Sequence, residues 1–381
     1  MKIAFVSDVA HPWQIGGVAT TEATEAAELA KSHEVHFFSM RWPGMEPNFT
    51  YKNINYHTYH KISYERLFSH GRRSIRHALI FSINMLKIFG YKFDVVEANA
   101  FPYLHLPVVK LYCKLTGCKL IIDVAEIWDK KYWDAYLGKR LSALAFAFVQ
   151  YFFGSADMYT INSSYEVENK LRALGIGEHR IGGVFAPVLD NEALSKIKRS
   201  PTKYRKHGIV FSGRLIKDKR IDEFLKIVNK VASKMPDVTA TIIGDGPEEA
   251  NIRQMIRRMG IEKNVKLKPF YNYDKKSKLY EDIVDSGLFL MMSEREGLSI
   301  ITLESIALGT PVVLPDYSPI PKEVRDMCVV DAEVELPDKV IEILKSSDKS
   351  KYIKHKENLK LFSAARTNEF YGRIFRKLGL E

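Results

Sequence analysis

The sequence predicts an α/β protein of two Rossmann-like, doubly wound domains facing a central cleft. Three observations predict it. The chain has 381 residues, too many for one ordinary hydrophobic core. Short apolar runs of strand length alternate with longer helical stretches almost throughout, the pattern of parallel sheets covered by helices on both faces. Near residue 185 that rhythm breaks and then restarts. In such folds ligands bind beyond the carboxyl ends of the strands, so the cleft is the expected site.

The elements follow in order. KIAFVS (2–7) reads as the first buried strand and VATTEATEAAELAK (18–31) as the helix after it. EVHFFSM (34–40), DVVEA (94–98), KLIIDV (119–124) and MYTIN (158–162) read as the next four strands. Between the second and third, ERLFSHGRRSIRHALIFSINMLKIFGYKF (65–93) reads as a basic, aromatic-rich helix. The mixed, basic stretch FAPVLDNEALSKIKRSPTKYRKH carries two prolines and reads as the linker. GIVFSG (208–213), TATIIG (239–244), NVKLK (264–268), GLFLMM (287–292) and TPVVLP (310–315) then open a second strand–helix series. The expected boundaries are 1–185 for the first Rossmann-like domain and 186–355 for the second. A final helical segment, 356–381, is expected to pack back on the first domain. No short-period repeat or low-complexity tract interrupts this layout.

Composition narrows the class without choosing a partner. A net charge of +11 and a pI near 9.2 favour polyanionic partners: nucleic acid, anionic lipid or phosphorylated small molecules. Cys113, Cys118 and Cys328 have neither zinc-ligand spacing nor an even count, which points to a reducing compartment. MKIAFVSD has too short an apolar run for a signal peptide. LSALAFAFVQYFFG (141–154) is too short to span a bilayer and reads as a buried or interfacial helix. The expectation is a cytoplasmic protein, peripheral at the inner face of the cell membrane.

Three stretches carry chemistry. After the first strand, Gly16 and Gly17 stand directly ahead of a helix, where free N–H groups and the dipole favour an anion. By itself the pair points first to a tight turn. GRLIKDKRID follows the strand GIVFSG and sets Arg214 and Lys219 at its carboxyl end, a fork and a point charge for phosphate. Its plainer reading is a solvated basic loop. In SEREGLSIITLES the helix should begin near Ser299 and end before Gly309. At 100° per residue, Glu304 then falls within the apolar face, with Thr302 and Ser305 on the opposite side. A buried, unpaired carboxylate costs several kcal/mol. Glu304 therefore needs a partner, either an internal cation or the hydroxyls of a ligand. Glu296, on the preceding loop, would face the cleft or be an ordinary exposed acid.

These pieces, in this order, resemble the family 4 retaining glycosyltransferases of GT-B architecture. The resemblance covers most of the chain and is strongest over 208–316, where IIGDGPEEANIRQMIRRMGIEKNVKLKPF and EGLSIITLESIALGTPVV follow the family pattern. It implies a nucleotide-sugar donor with a UDP or GDP moiety, and a lipid-linked or glycan acceptor. By carry-over, Arg214 and Lys219 hold the diphosphate and Glu304 the ribose hydroxyls. Glu296 meets the donor sugar, with Gly297, Leu298 and Ser299 close to sugar and phosphate. Gly17 meets the diphosphate from the first domain, and Phe270 and Tyr271 lie near the base. No Asp-x-Asp metal motif appears. The resemblance thus implies no obligatory cofactor and no metal site, with positive charge on the leaving diphosphate supplied by the protein. Two departures stand out. Where the family commonly has a sugar-facing histidine, KLIIDVAEIWD has Ala125, with Asp123 and Glu126 beside it, either one a candidate to position the donor or acceptor instead and Glu126 the one assigned to substrate binding. DYSPIPKEV lacks the glycine pair often found after the second motif.

The acceptor domain holds the basic stretch 65–93. There Arg66, Arg72, Arg73, Arg76 and Lys87 accompany Leu67, Phe68, Ile75, Leu79, Ile80 and Phe81. Such a helix suits either an anionic membrane surface or a core with a solvated basic edge. Two other activities stay open: a nucleotide-sugar epimerase or hydrolase on the same scaffold, and non-enzymatic nucleic-acid binding. The second lacks a binding motif, since the basic residues are scattered and form no single stripe, so no nucleic acid is expected. A nicotinamide oxidoreductase is disfavoured because no G-x-G-x-x-G follows the first strand.

Overall fold

The computed structural model describes residues 1–13, 16–63, 68–69, 72–128, 130–189, 194–197, 208–271 and 276–380. Arg66 and Leu67 lie outside the described residues, as does most of the basic linker, 190–193 and 198–207. The chain divides into two units, Met1–Val188 with Leu361–Glu381, and Leu189–Lys360.

The first unit opens with β1 (Lys2–Val6), α1 (Gly17–Leu29), β2 (Glu34–Arg41), β3 (Asn48–Tyr51) and β4 (Ile54–Lys61). A two-residue hairpin, β5 (Phe68–Ser69) and β6 (Arg72–Arg73), leads into α2 (Ile75–Asn84), which continues as a 3-10 segment, Met85–Gly90. Then come β7 (Val95–Asn99), α3 (Leu106–Thr116), β8 (Lys119–Asp123), α4 (Lys130–Leu137), α5 (Lys139–Phe153), β9 (Met158–Ile161), α6 (Tyr165–Ala173) and β10 (Ile181–Val184). The sheet order is β10-β9-β8-β7-β1-β2-β4-β3, parallel except where β3 runs against β4. β7 and β9 are buried at every residue, as parallel strands covered on both faces must be.

Chirality assigns the layers. The step from β1 to β2 runs one way along the sheet, while those from β4 to β7, β7 to β8, β8 to β9 and β9 to β10 run the other. Right-handed crossovers therefore put α1 on one face, and α2 through α6 on the opposite one.

The basic stretch is not one helix from residue 65. Among its described residues the helix runs from Ile75, after β5 and β6, and tightens to 3-10 winding at Met85. The structure also adds β3 and β4, which no apolar run announces. β4 reads INYHTYHK, and its buried polar residues, His57 and Thr58, each find a partner. His57 Nε2 lies 2.8 Å from His36 Nδ1, and Thr58 Oγ1 donates to the Glu46 carbonyl at 2.5 Å.

The second unit contains β11 (Gly208–Ser212), α7 (Ile221–Lys234), β12 (Thr239–Ile243), α8 (Glu249–Met259), β13 (Val265–Lys268), α9 (Lys276–Val284) and β14 (Leu288–Leu290). It continues with α10 (Ile300–Ala307), β15 (Val312–Pro315), α11 (Lys322–Arg325), β16 (Val329–Asp331) and α12 (Leu336–Lys345). All pairs are parallel, in the order β13-β12-β11-β14-β15-β16. On α7, Ile221, Phe224, Leu225, Val228 and Val231 form the buried stripe of an amphipathic helix. The order reverses between β11 and β14, the switch point where doubly wound sheets open a crevice at their carboxyl ends.

A last helix, α13 (Thr367–Lys377), returns to the first unit. Thr367, Phe370, Tyr371, Ile374 and Phe375, at helical spacing, are buried. Phe370 stacks on Phe185 at 4.4 Å. The site of a Cβ on Gly182 would lie 3.0 Å from Ile374 Cδ1, so glycine lets this helix approach the sheet.

Candidate active site

At the switch point of the second unit, two strand-end loops meet. The loop after β11 carries Arg214, exposed, and Lys219 in a short 3-10 turn, Lys217–Lys219. The loop after β14 carries Glu294 to Ser299. The Glu294 amide donates to the Asp218 carbonyl at 3.0 Å. Directly beside it, the Lys219 ammonium is paired with Glu296 Oε1, their side chains 16% and 12% exposed. A pair this enclosed is held far better than a surface ion pair, because neither partner is well solvated. Glu296 is thus no ordinary exposed loop acid.

A third loop, after β12, closes on the first. A Cβ on Gly244 would stand 1.9 Å from the Gly213 carbonyl oxygen, and one on Gly246 2.3 Å from that of Leu215. The Leu215 amide donates to the Asp245 carbonyl at 2.9 Å. Only glycine lets these backbones pass. Sequence reading left Gly244 and Gly246 unassigned, although GDG after TATII was the visible signal. At Gly297, by contrast, a Cβ would meet nothing within 4 Å, so that glycine borders open space.

α10 begins at Ile300 behind Ser299, which caps it without a side-chain hydrogen bond and in the left-handed region, φ 54. A non-glycine residue there costs about 1–3 kcal/mol and marks a backbone held by its surroundings. Ser299 Oγ instead lies 2.9 Å from Thr302 Oγ1. Leu298 is buried, and the first turn of α10 has no acid, leaving its positive end uncovered at the sheet's carboxyl edge.

Glu304 is 3% exposed, and its Oε1 accepts from Lys276 Nζ at 2.6 Å and from Tyr280 Oη at 2.7 Å. Of the two partners the sequence left open, the structure supplies the internal one. The sequence named neither Lys276 nor Tyr280, because α9 becomes their platform only in three dimensions. Thr302 and Ser305, on the side opposite Glu304, are also buried, since this eight-residue helix is enclosed all round. Ser305 satisfies its hydroxyl on the Ile301 carbonyl at 2.7 Å.

Phe270 and Tyr271 follow β13, both half-buried. Tyr271 Oη donates to Asp282 Oδ2 at 2.8 Å, and Lys268 Nζ reaches the same carboxylate at 2.6 and 2.7 Å. Burial, and then the bond to Asp282, raise the Tyr271 phenol above its ordinary range. A cavity of about 290 Å³ lined by Ala307, Gly309, Ser350 and Lys356 lies at the other end of α10 and shares none of these groups.

The first unit has its own switch point, between β1 and β7, and Gly16 and Gly17 sit at the carboxyl end of β1. α1 starts at Gly17 with no acid in its first turn. Gly16 is extended at φ 178, so its own dihedral does not require glycine. After β8, Ala125 is half-buried and Glu126 exposed, whereas Asp123 is 1% exposed and faces the interior. Of the two acids near the vacant histidine position, only Glu126 reaches solvent.

Asp123 belongs instead to a buried cluster with Glu22, Glu25 and Glu97. Thr160 Oγ1 donates to Glu97 at 3.0 Å and to Asp123 at 3.2 Å, Asn99 donates to Glu22 at 2.8 Å, and Tyr371 Oη donates to Glu97 at 2.7 Å. Burial pushes Glu97 up to about 7. It raises Glu22, Glu25 and Asp123 well above the carboxylate range, with mutual repulsion adding to it. All four acids are buried in the core of the first unit.

Two family models match, end to end. Residues 15–182 match that described as Glycosyltransferase Family 4, and residues 192–359 that described as Glycosyl transferases group 1. Among curated proteins, an uncharacterized glycosyltransferase of Haemophilus influenzae is 32% identical over 122 residues, 32% of this chain and 33% of that protein. N-acetyl-alpha-D-glucosaminyl L-malate synthase of Bacillus anthracis is 26% identical over 164 residues, 40% of this chain and 42% of that protein. The matched stretches thus span well under two thirds of these relatives. Among solved structures, Anabaena HepE in complex with UDP and glucose superposes with a TM-score of 0.68 at 16% identity, covering 99% of both chains. Sucrose-phosphate synthase from Thermosynechococcus elongatus gives a TM-score of 0.70 at 15% identity, covering 99% of this chain and 98% of that one. At such identities these likenesses speak for the fold.

Proposed function

Since the chain belongs to the family 4 glycosyltransferases, with the GT-B fold, we propose that it is a retaining enzyme moving a sugar from a UDP- or GDP-sugar to a lipid-linked or glycan acceptor. The observation that carries the reading is the enclosed Lys219–Glu296 pair joining two strand-end loops at the switch point. Within the protein the pair neutralises itself. An arriving diphosphate offers Lys219 a stronger partner and frees Glu296 to accept hydrogen bonds from the sugar. Arg214, exposed beside it, adds a bidentate grip. Among the described residues Lys276 and Tyr280 both engage Oε1 of Glu304, and the ribose hydroxyls would bond to this carboxylate. The half-buried rings of Phe270 and Tyr271 suit the base, and Gly297, Leu298 and Ser299 present backbone to sugar and phosphate. Gly16 and Gly17 offer a second anion-binding helix start on the first unit.

In the reaction the bond from the anomeric carbon to the diphosphate oxygen breaks, its electron pair leaving with the nucleoside diphosphate. The acceptor hydroxyl bonds to the same face of that carbon and gives its proton to the departing phosphate oxygen. Fixed cations stabilise the developing charge where water would have to reorganise. No metal is needed for that step on this reading. The complexes of HepE with UDP and UDP-glucose favour a UDP donor by analogy. Glu126 is the acid best placed to position the acceptor on the first unit. The enzyme works in the cytoplasm, against the inner face of the cell membrane.

A thermal-shift panel of nucleoside diphosphates and nucleotide sugars tests the donor half. UDP or GDP at a hundredfold excess over its Kd should stabilise the protein by about 2.7 kcal/mol. Lys219→Ala should abolish the shift. Indifference to every nucleotide would sink the proposal, and free sugar as sole product with acceptor present would turn it toward hydrolysis.

A further inference from the structure

We infer that one face of the first unit, formed by α2 with its 3-10 continuation, α3 and α5, is an interfacial binding surface for an anionic lipid bilayer. The inference deepens the proposed use of a lipid-linked acceptor and rests on that reading for its purpose, though not for its evidence.

The evidence begins with topology. The crossovers carrying these segments all run the same way along the sheet, so right-handedness stacks them on one face, opposite α1. Side chains join them into a continuous surface. Phe89 packs on Tyr112 at 5.4 Å, linking the 3-10 segment to α3. The Lys110 ammonium sits 4.6 Å from the Tyr151 ring centre, linking α3 to α5.

This face is unusually apolar for one in water. Thirteen large hydrophobic side chains are exposed among the described residues, and ten of them lie on these segments. On α2, Ile75, Leu79 and Ile83 recur every four residues, 50%, 50% and 65% exposed, as one outward stripe. Leu115 on α3 is 68% exposed, and Leu144 on α5 is 70% exposed. A patch of this kind marks an interaction surface.

Charge selects the partner. The four segments contain no aspartate or glutamate and carry six cations. Arg76, Lys114, Lys139 and Arg140 are exposed. Greasy side chains interleaved with cations, without a single acid, match the boundary between acyl chains and anionic headgroups. Lysine and arginine stems can lie along the apolar surface with their heads among the phosphates. No helix among the described residues is long and apolar enough to cross a membrane, so the mode is lying on the surface.

The test is co-sedimentation of the full chain with vesicles of phosphatidylcholine alone or mixed with phosphatidylglycerol, at low and high salt. Binding should require phosphatidylglycerol and weaken with salt. It should fall at least tenfold in the double variant Ile83→Glu, Leu144→Glu, and again in Lys139→Gln, Arg140→Gln. None of these four positions belongs to the nucleotide site, so the thermal shift with nucleoside diphosphate, read without vesicles, should stay unchanged. That second reading separates failure of the surface from failure of the donor assignment. Equal pelleting of parent and both variants would overturn the inference. So would a lack of vesicle binding accompanied by a dimer that the glutamates dissociate, which would make the face a contact between copies.

Discussion

Lys219 and Glu296 define the site as an enclosed ion pair, so their substitutions should differ in kind. Lys219→Ala leaves a carboxylate 12% exposed without its cation, and also removes charge from the leaving group. Its kcat should fall by about two to three orders of magnitude, the usual effect of deleting one transition-state donor. Glu296→Gln keeps a hydrogen-bonding shape but not the charge. It should lower kcat with little change in the affinity for nucleoside diphosphate, measured by titration calorimetry. Lys276→Met would strip Glu304 of its cation while Tyr280 still donates, and should cost about 2 kcal/mol of stability and weaken nucleotide binding. Comparing chemical denaturation with UDP or GDP titration would show both. Glu304 is also where sequence reading reached furthest. Helical angles alone showed an acid that must have a partner. They could not name Lys276, because no local spacing ties α9 to α10.

Among the elements, the glycine loops make the firmest case. Gly244→Ala would drive a methyl group against the backbone oxygen of Gly213, which no rotamer change relieves. The loops after β11 and β12 should separate, with nucleotide affinity lost more than global stability, a split that thermal denaturation with and without ligand would reveal. Phe370→Ala tests α13 in the same manner and should cost about 3–5 kcal/mol, since the ring is 4% exposed and stacked on Phe185. Strands with continuous apolar runs, such as β1, β7, β11 and β12, were legible from sequence because parallel strands are buried on both faces. β4 was not, because INYHTYHK hides its burial behind hydrogen-bonded histidine and threonine. The start of α2 was also misjudged. Helix-forming residues upstream of Ile75 gave no hint of the hairpin that precedes it.

At the scale of the molecule, the buried acids set a pH signature. Glu97 titrates near 7 in the folded chain, against the ordinary carboxylate range once unfolded. Between those values the folded state holds a proton that the unfolded state has lost. Stability from this group is therefore complete below the unfolded value and declines as pH rises towards 7. Glu22, Glu25 and Asp123 push in the same direction. His57, lowered by burial to about 4, works oppositely, costing stability as pH falls below its ordinary range. Glu97→Gln should accordingly raise the melting temperature at pH 8 and barely change it at pH 5, by calorimetry at both. A second whole-molecule prediction concerns metal. If the diphosphate is neutralised by Arg214 and Lys219, transfer should survive EDTA at unchanged rate, as a radiolabelled-sugar assay would report.

The bond from Tyr371 to Glu97 spans 274 positions of sequence, and it has a bearing on how the chain is made. On the ribosome the second unit, one continuous segment, is translated whole before α13 is. The first unit, although begun earlier, must wait with its four acids lacking this hydroxyl and its sheet uncovered by Phe370 and Ile374. Of the two units, the one translated first is thus the one finished last.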